Sequence, residues 1–160
     1  MAFKVYQPLP FGITRIDTAM VHDELAACYL LGGGDEYAII ETGTHNTVPT
    51  ILALLKARKI DLAKVKYVIP THVHLDHAGG VGTLLREFPN AQVLAHRRAL
   101  PHLLDPAKLN AGALAVYGEE ELMRLFGRLE PVPEQRIRAV ADGETVLLGK
   151  RELQFIDSPG

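Results

Sequence analysis

Apolar positions recur at two periods along the chain, and the change of period divides it. From Gly12 to Glu41 short apolar runs are separated by turn residues. Gly12–Asp17 and Ala26–Leu31 read as strands, and Gly32-Gly33-Gly34-Asp35 turns the chain into Tyr37–Glu41. Three consecutive glycines between two apolar runs are a strong reversal signal. The opening is predicted to be an antiparallel meander.

After Thr42-Gly43 the period becomes helical. Val48, Ile51, Leu52 and Leu55 stand at i, i+3, i+4 and i+7, one face of a helix running to about Lys59. Asn46 or Thr47 is placed to cap it, and Pro49 falls in the first turn, where a missing N–H costs little. Val65–Ile69 is a short buried strand ending at Pro70, and a helix is expected from about Gly80 to Phe88, stopped by Pro89. Gln92–Ala95 reads as a strand, and Arg98–Leu104 begins a helical stretch interrupted at Pro106. Leu122, Leu125, Phe126 and Leu129 mark one side of a helix over Glu119–Leu129. Its opening triplet Glu119-Glu120-Glu121 suits the positive end of a helix dipole rather than a cation site. Thr145–Leu148 and Glu152–Ile156 flank Gly149-Lys150, a Gly-X pair suited to a type II′ hairpin. Strands alternating with helices, with a hairpin at each end, predict an α/β fold: a mixed sheet with helices on one face.

Composition narrows the function classes. At 160 residues, 48% apolar and 22% charged, the chain is long enough for a core and too apolar for wholesale disorder. Its 17 basic and 19 acidic residues leave a formal charge of −2, so no basic excess exists to neutralise phosphates and nucleic acid is not the expected partner. No apolar run approaches the roughly 18 residues that span a bilayer, and the amino terminus lacks the continuous apolar stretch of a secretory signal. Cys28 has no second cysteine to pair with and, inside AACYLL, reads as a small buried residue. The expected setting is reducing and cytoplasmic.

The chemistry concentrates in Pro70–Gly80, PTHVHLDHAGG, where His72, His74, Asp76 and His77 lie within six positions. They follow a buried strand and precede a glycine-led helix, the kind of strand end on which sites are built. In an extended stretch residues i and i+2 share a side, so His72 and His74 can converge on one cation. Asp76 and His77, at the turn into the helix, can reach a second. Imidazole with carboxylate is a borderline donor set suited to Zn²⁺ and also to iron or manganese.

THVHLDHAGG resembles the H-x-H-x-D-H motif of the metallo-β-lactamase-fold hydrolases, and the glyoxalase II-like branch among them. Glu41-Thr42-Gly43, between a strand and a helix, resembles the family's Asp-x-Gly element. Asp157-Ser158-Pro159-Gly160 resembles the segment that immediately precedes the next metal-binding His. The resemblance implies an αββα sandwich, of which residues 1–160 form the amino-terminal portion and about one half. It implies two divalent cations, zinc first, held here by His72, His74, Asp76 and His77, with Asp76 also orienting the hydroxide. Glu41, where most members carry Asp, would anchor the ligands from behind. The third ligand of the first cation, a bridging carboxylate and a last His are expected beyond Gly160.

The implied activity is hydrolysis of a small ester, thioester or lactone by a metal-activated hydroxide, since bound water ionises near pH 7. The chain carries neither G-x-S-x-G nor S-x-x-K, which counts against a serine nucleophile. Alternatives within the same fold are a diiron redox or oxygen-binding protein, a nuclease, and an inactive fragment that self-associates through its uncovered side. The remaining histidines read blandly: His96 as a strand-end residue, His102 on a helix flank, and His45 near the site side without a ligand role. His22 lies in a loop that, by analogy with the family, faces substrate.

Overall fold

A computed structural model describes residues 5–159. Seven strands form one sheet whose spatial order equals their order in the chain. β1 (Tyr6–Leu9), β2 (Ile13–Asp17), β3 (Ala27–Gly32) and β4 (Tyr37–Ile40) pair antiparallel, as the meander reading expected. β5 (Val65–Ile69), β6 (Gln92–His96) and β7 (Ile137–Val140) then add in parallel. Parallel neighbours need crossover connections, and helices supply them. α1 (Val48–Ala57) joins β4 to β5; α2 (Leu75–Ala78) and α3 (Val81–Glu87) join β5 to β6; α4 (Leu100–Leu104) and α5 (Ala107–Leu125) join β6 to β7.

The sheet is buried on both faces, which is why its inner strands read as unbroken apolar runs. Leu30, Ile39, Val68 and Val93 point to the helical side and pack with Ile51, Leu55, Leu84, Leu85 and Phe88. Their chain neighbours Leu31, Ala38, Ile69 and Leu94 point the other way, onto Val146 and Leu148. Those last two belong to a hairpin, β8 (Thr145–Leu148) and β9 (Arg151–Gln154), which forms a separate two-stranded sheet over the second face. Helices, large sheet and hairpin thus stack as three layers.

The hairpin is docked by close backbone approach. A Cβ on Gly33 would stand 2.0 Å from the Leu148 carbonyl oxygen, and Lys150 N–H donates to Gly33 O at 3.0 Å. Glu36 accepts from Gly149 N–H at 2.6 Å and from Lys66 Nζ at 2.8 Å. The glycine triplet therefore both turns the chain, with Gly34 at φ 99°, and admits the hairpin at Gly33.

Several local expectations need correction. Neither Asn46 nor Thr47 caps α1 with its side chain. Asn46 instead donates to the carbonyls of Met123 and Arg124, while Thr47 Oγ1 accepts from Thr44 N–H at 3.2 Å in a 3₁₀ turn that leads into the helix. The helix expected at 119–129 ends at Leu125, before Gly127 at φ 66°. It is the second piece of a 19-residue α5 broken at Gly118, φ 73° and ψ 167°. The acidic triplet opens that second piece, as anticipated. β1 escaped the periodicity because Pro8 interrupts it; a proline is tolerated there because the strand is an edge. Cys28 is fully buried in β3, and burial, with smaller contributions from Glu41 and Asp17, pushes its thiol pKa far up.

Candidate metal centre

The site grows from the carboxyl ends of two adjacent parallel strands. β4 and β5 are in register at Ile40 and Ile69, so the residues that follow them, Glu41 and the Pro70-Thr71-His72 loop, emerge side by side. Glu41 adopts φ 59°, a left-handed conformation that costs a side-chain-bearing residue about 1 kcal/mol. Its buried carboxylate offsets that cost. One oxygen accepts Thr71 N–H at 2.7 Å, and the other faces His77 Nδ1 at 2.6 Å.

Thr42 fixes the backbone of the same motif. Its N–H and hydroxyl both donate to the His77 carbonyl, at 2.8 and 2.9 Å, and its Oγ1 accepts Gly80 N–H at 3.0 Å. Sequence reading gave Thr42 no role. The signal was its place in the Glu41-Thr42-Gly43 step, but a threonine acting through main-chain bonds leaves no distinctive spacing. Close packing adds to the clamp: a Cβ on Gly79 would lie 2.9 Å from Thr44 Cα, and one on Gly80 2.8 Å from Val48 Cγ2.

The four motif side chains come together. His74 is extended, with φ −62° and ψ 148°, whereas Asp76 and His77 sit on the single-turn helix α2. The His72 ring lies 4.7 Å from that of His74 and 4.1 Å from that of His77, centroid to centroid. His72 is thus nearer to His77 than to the partner its spacing suggested, and the three rings form one cluster. Partial desolvation of the otherwise exposed ring, then the neighbouring His77 and His74, hold the His72 pKa below its ordinary value, which favours the neutral, lone-pair-bearing ring. His72 Nδ1 lies 3.0 Å from Thr71 Oγ1.

Among the described residues no three His, Cys, Asp or Glu side chains converge tightly enough to grip an ion as they stand. The donor chemistry nevertheless suits one. Against an ionised Glu41, which can only accept, a neutral His77 ring would carry its proton on Nδ1 and leave the Nε2 lone pair free. That Nε2 lies 3.3 Å from Asp76 Oδ2, and in this tautomer both atoms are acceptors. Two ligand atoms on one tetrahedral cation with bonds of 2.0–2.1 Å are roughly 3.3 Å apart, so the pair has the bite of a shared cation. Two imidazoles on such a cation have centroids roughly 5 Å apart, close to the His72–His74 spacing. A carboxylate behind a ligating imidazole is the usual means of fixing its tautomer.

The other histidines stay apart from this cluster in their bonding. His45 Nδ1 pairs with Thr83 Oγ1 at 3.0 Å, and its ring packs on Gly127. His96 ends β6, accepts Arg98 N–H and lies 3.9 Å from Asp157. His102 is on α4, and His22 Nδ1 meets the Asp23 carbonyl. Beside the cluster, His74, Leu75 and Asp76 form one wall of a cleft of about 570 Å³ whose other wall is α5.

Comparison with known proteins agrees with this architecture. The chain is 44% identical over 55 residues to the N-acyl homoserine lactonase AttM of Azorhizobium caulinodans, a match covering 34% of this chain and 19% of that protein. It is 30% identical over 132 residues to the type A flavoprotein fprA of Rhodobacter capsulatus, covering 82% of this chain and 25% of the relative. A solved B3 metallo-beta-lactamase with an active-site glutamic acid superposes with a TM-score of 0.75 at 23% identity. That match covers 98% of this chain and 53% of the other, and at that identity it speaks for the fold. The chain spans about half the length of that enzyme and a quarter or less of the two relatives. Residues 23–160 match the family model itself, and the chain belongs to the metallo-beta-lactamase superfamily.

Proposed function

We propose that this chain supplies the first ligands of a two-cation centre in a metal-dependent hydrolase of small esters, thioesters or lactones. The observation that carries the reading is the 3.3 Å approach of His77 Nε2 to Asp76 Oδ2 while His77 Nδ1 is tied to Glu41. His72 and His74 would hold one cation, Asp76 and His77 the other. When bound, zinc, or iron or manganese in its place, would polarise the scissile carbonyl and bring water towards ionisation near neutral pH.

The chain's own residues do the positioning. Glu41 fixes the His77 tautomer, Thr42 holds the α2 backbone, and the second carboxylate oxygen of Asp76 is free to accept a hydrogen bond from the attacking water and aim it. The lactonase relative supports the lactone end of the substrate range. The match to a type A flavoprotein, which covers most of this chain, keeps a second reading in play, a diiron redox or oxygen-binding protein of the same fold.

His72→Ala and His74→Ala should each remove most bound metal and leave the circular dichroism unchanged, since both side chains are exposed. Asp76→Asn should lower turnover of an activated ester more than it lowers metal content. Variants that stay fully metallated refute the ligand assignment. Iron as the isolated metal, with a coloured protein and no esterase activity, selects the redox reading.

A further inference from the structure

The cleft beside the motif has a feature that neither fold nor metal chemistry demands. Its α5 wall presents Lys108, Gly112 and Val116 at i, i+4 and i+8, and Leu109, Ala113 and Tyr117 one residue on. Large side chains thus stand at both ends of the wall and the two smallest at its waist, opposite His74, Leu75 and Asp76. Gly112 is in a helix interior, where glycine costs about 1 kcal/mol relative to alanine. Nothing lies within 4 Å of where its Cβ would be, and its φ is not positive, so neither close packing nor backbone conformation calls for glycine. A side chain there would enter the space that the cleft occupies. At about 570 Å³ the space falls within the range that small-molecule sites occupy.

The lining is apolar apart from the motif, Lys108 and the hydroxyl of Tyr117. Asp105, three residues before Lys108, accepts Ala107 N–H at 3.1 Å, and among the described residues no carboxylate lies within 4.0 Å of Lys108 Nζ. Resting on the hydrolase reading above, we infer that this cleft takes the part of the substrate remote from the scissile bond. That part is an unbranched apolar chain lying over Gly112 and Ala113, with an anionic group paired to Lys108. The substrate class is then an ester, thioester or lactone whose acyl portion is apolar and acidic at its far end.

The test needs neither metal nor turnover. Isotope-labelled, chelator-treated protein is titrated with octanoate and, separately, octanamide, following the backbone amide signals of α5. Octanoate should saturate shifts at Gly112 and Ala113 and bind about three- to five-fold more tightly than octanamide, as a partly exposed ion pair allows. Lys108→Gln should remove that preference and leave octanamide binding unchanged. Gly112→Phe, which fills open space and improves helix propensity, should keep the fold by circular dichroism and abolish both titrations. Overturning results are no saturable shifts on α5, equal binding of the two probes, or binding that survives Gly112→Phe. Any of these would leave the metal and esterase measurements above untouched, so failure of the cleft and failure of the hydrolase reading are told apart.

Discussion

Replacing Glu41 by Gln keeps the shape of the buried side chain and removes the charge that two donors share. Gln Oε1 can still accept Thr71 N–H, so the amide NH₂ must face His77 Nδ1 and donate to it. The neutral His77 ring then carries its proton on Nε2, the atom now directed at Asp76 Oδ2. The lone pair that should meet a cation is lost unless the amide or the ring turns. The expected effect is a 10- to 100-fold weaker second cation, the usual scale for outer-shell carboxylates. Stability also falls: two bonds to a charged acceptor, about 1.5–3 kcal/mol each, become one or two neutral ones of about 0.5–1.5, a loss of about 3 kcal/mol. Glu41→Ala should cost more, because Thr71 N–H loses its acceptor. Glu41→Gly should recover about 1 kcal/mol of that by relieving the left-handed backbone. Urea denaturation in chelator reads the stabilities, zinc titration calorimetry reads the affinity, and two-bond ¹⁵N–¹H correlation of the imidazole reads the tautomer. If Glu41→Gln leaves His77 protonated on Nδ1 and zinc affinity unchanged, Glu41 does not set the ligand.

Three further outcomes test the packing that carries the site. Gly33→Ala places a methyl 2.0 Å from Leu148 O and should undock the hairpin, costing about 3 kcal/mol or more and showing as faster amide exchange in β8 and β9. Arg136→Lys should cost about 2 kcal/mol in chemical denaturation, because the guanidinium serves the carbonyls of Leu85, Phe88 and Ala91 together and a single ammonium cannot span them. Lys66 and the Gly149 N–H hold the Glu36 pKa below its usual 4.5. The stability this lends is complete above the ordinary Glu value and is lost as pH falls through the lowered one. Glu36 in turn raises the Lys66 pKa, so a second loss appears as pH rises past the ordinary Lys value. Glu36→Gln should flatten the melting temperature against pH at both limbs.

Most of this was legible because it rested on local pattern. The strand of Val65–Ile69, the helical face of Val48 to Leu55 and the Gly149-Lys150 hairpin each carry their own period or turn chemistry, and each appears where that chemistry puts it. The closing of the histidine cluster was half legible. Spacing joined His72 to His74, but the His72–His77 approach depends on α2 folding back by a single turn, and four residues give no periodicity. The first piece of α5 was missed because only Ala113 is buried along it, leaving no apolar stripe to read. Asn46 has the composition of a cap and was drawn away by carbonyls 77 and 78 residues further on, a tertiary partner that no local window contains.

The identity of strand order and chain order has a consequence for how the molecule is made. During synthesis each new strand meets, as the outermost edge, the strand completed just before it. No late strand has to be threaded between two that have already paired. Neighbouring strands contact one another across short connections or a crossover of one or two helices, and loop-closure cost grows only slowly with the length of each. At translation rates of about 5–20 residues per second, the roughly 25-residue interval from β4 to β5 takes seconds, long compared with the microseconds in which helices and hairpins form. The sheet can therefore grow vectorially away from its β1 edge, each strand adding at the opposite one. The loop that carries His72, His74, Asp76 and His77 emerges only after β4 has already placed Glu41 to receive it.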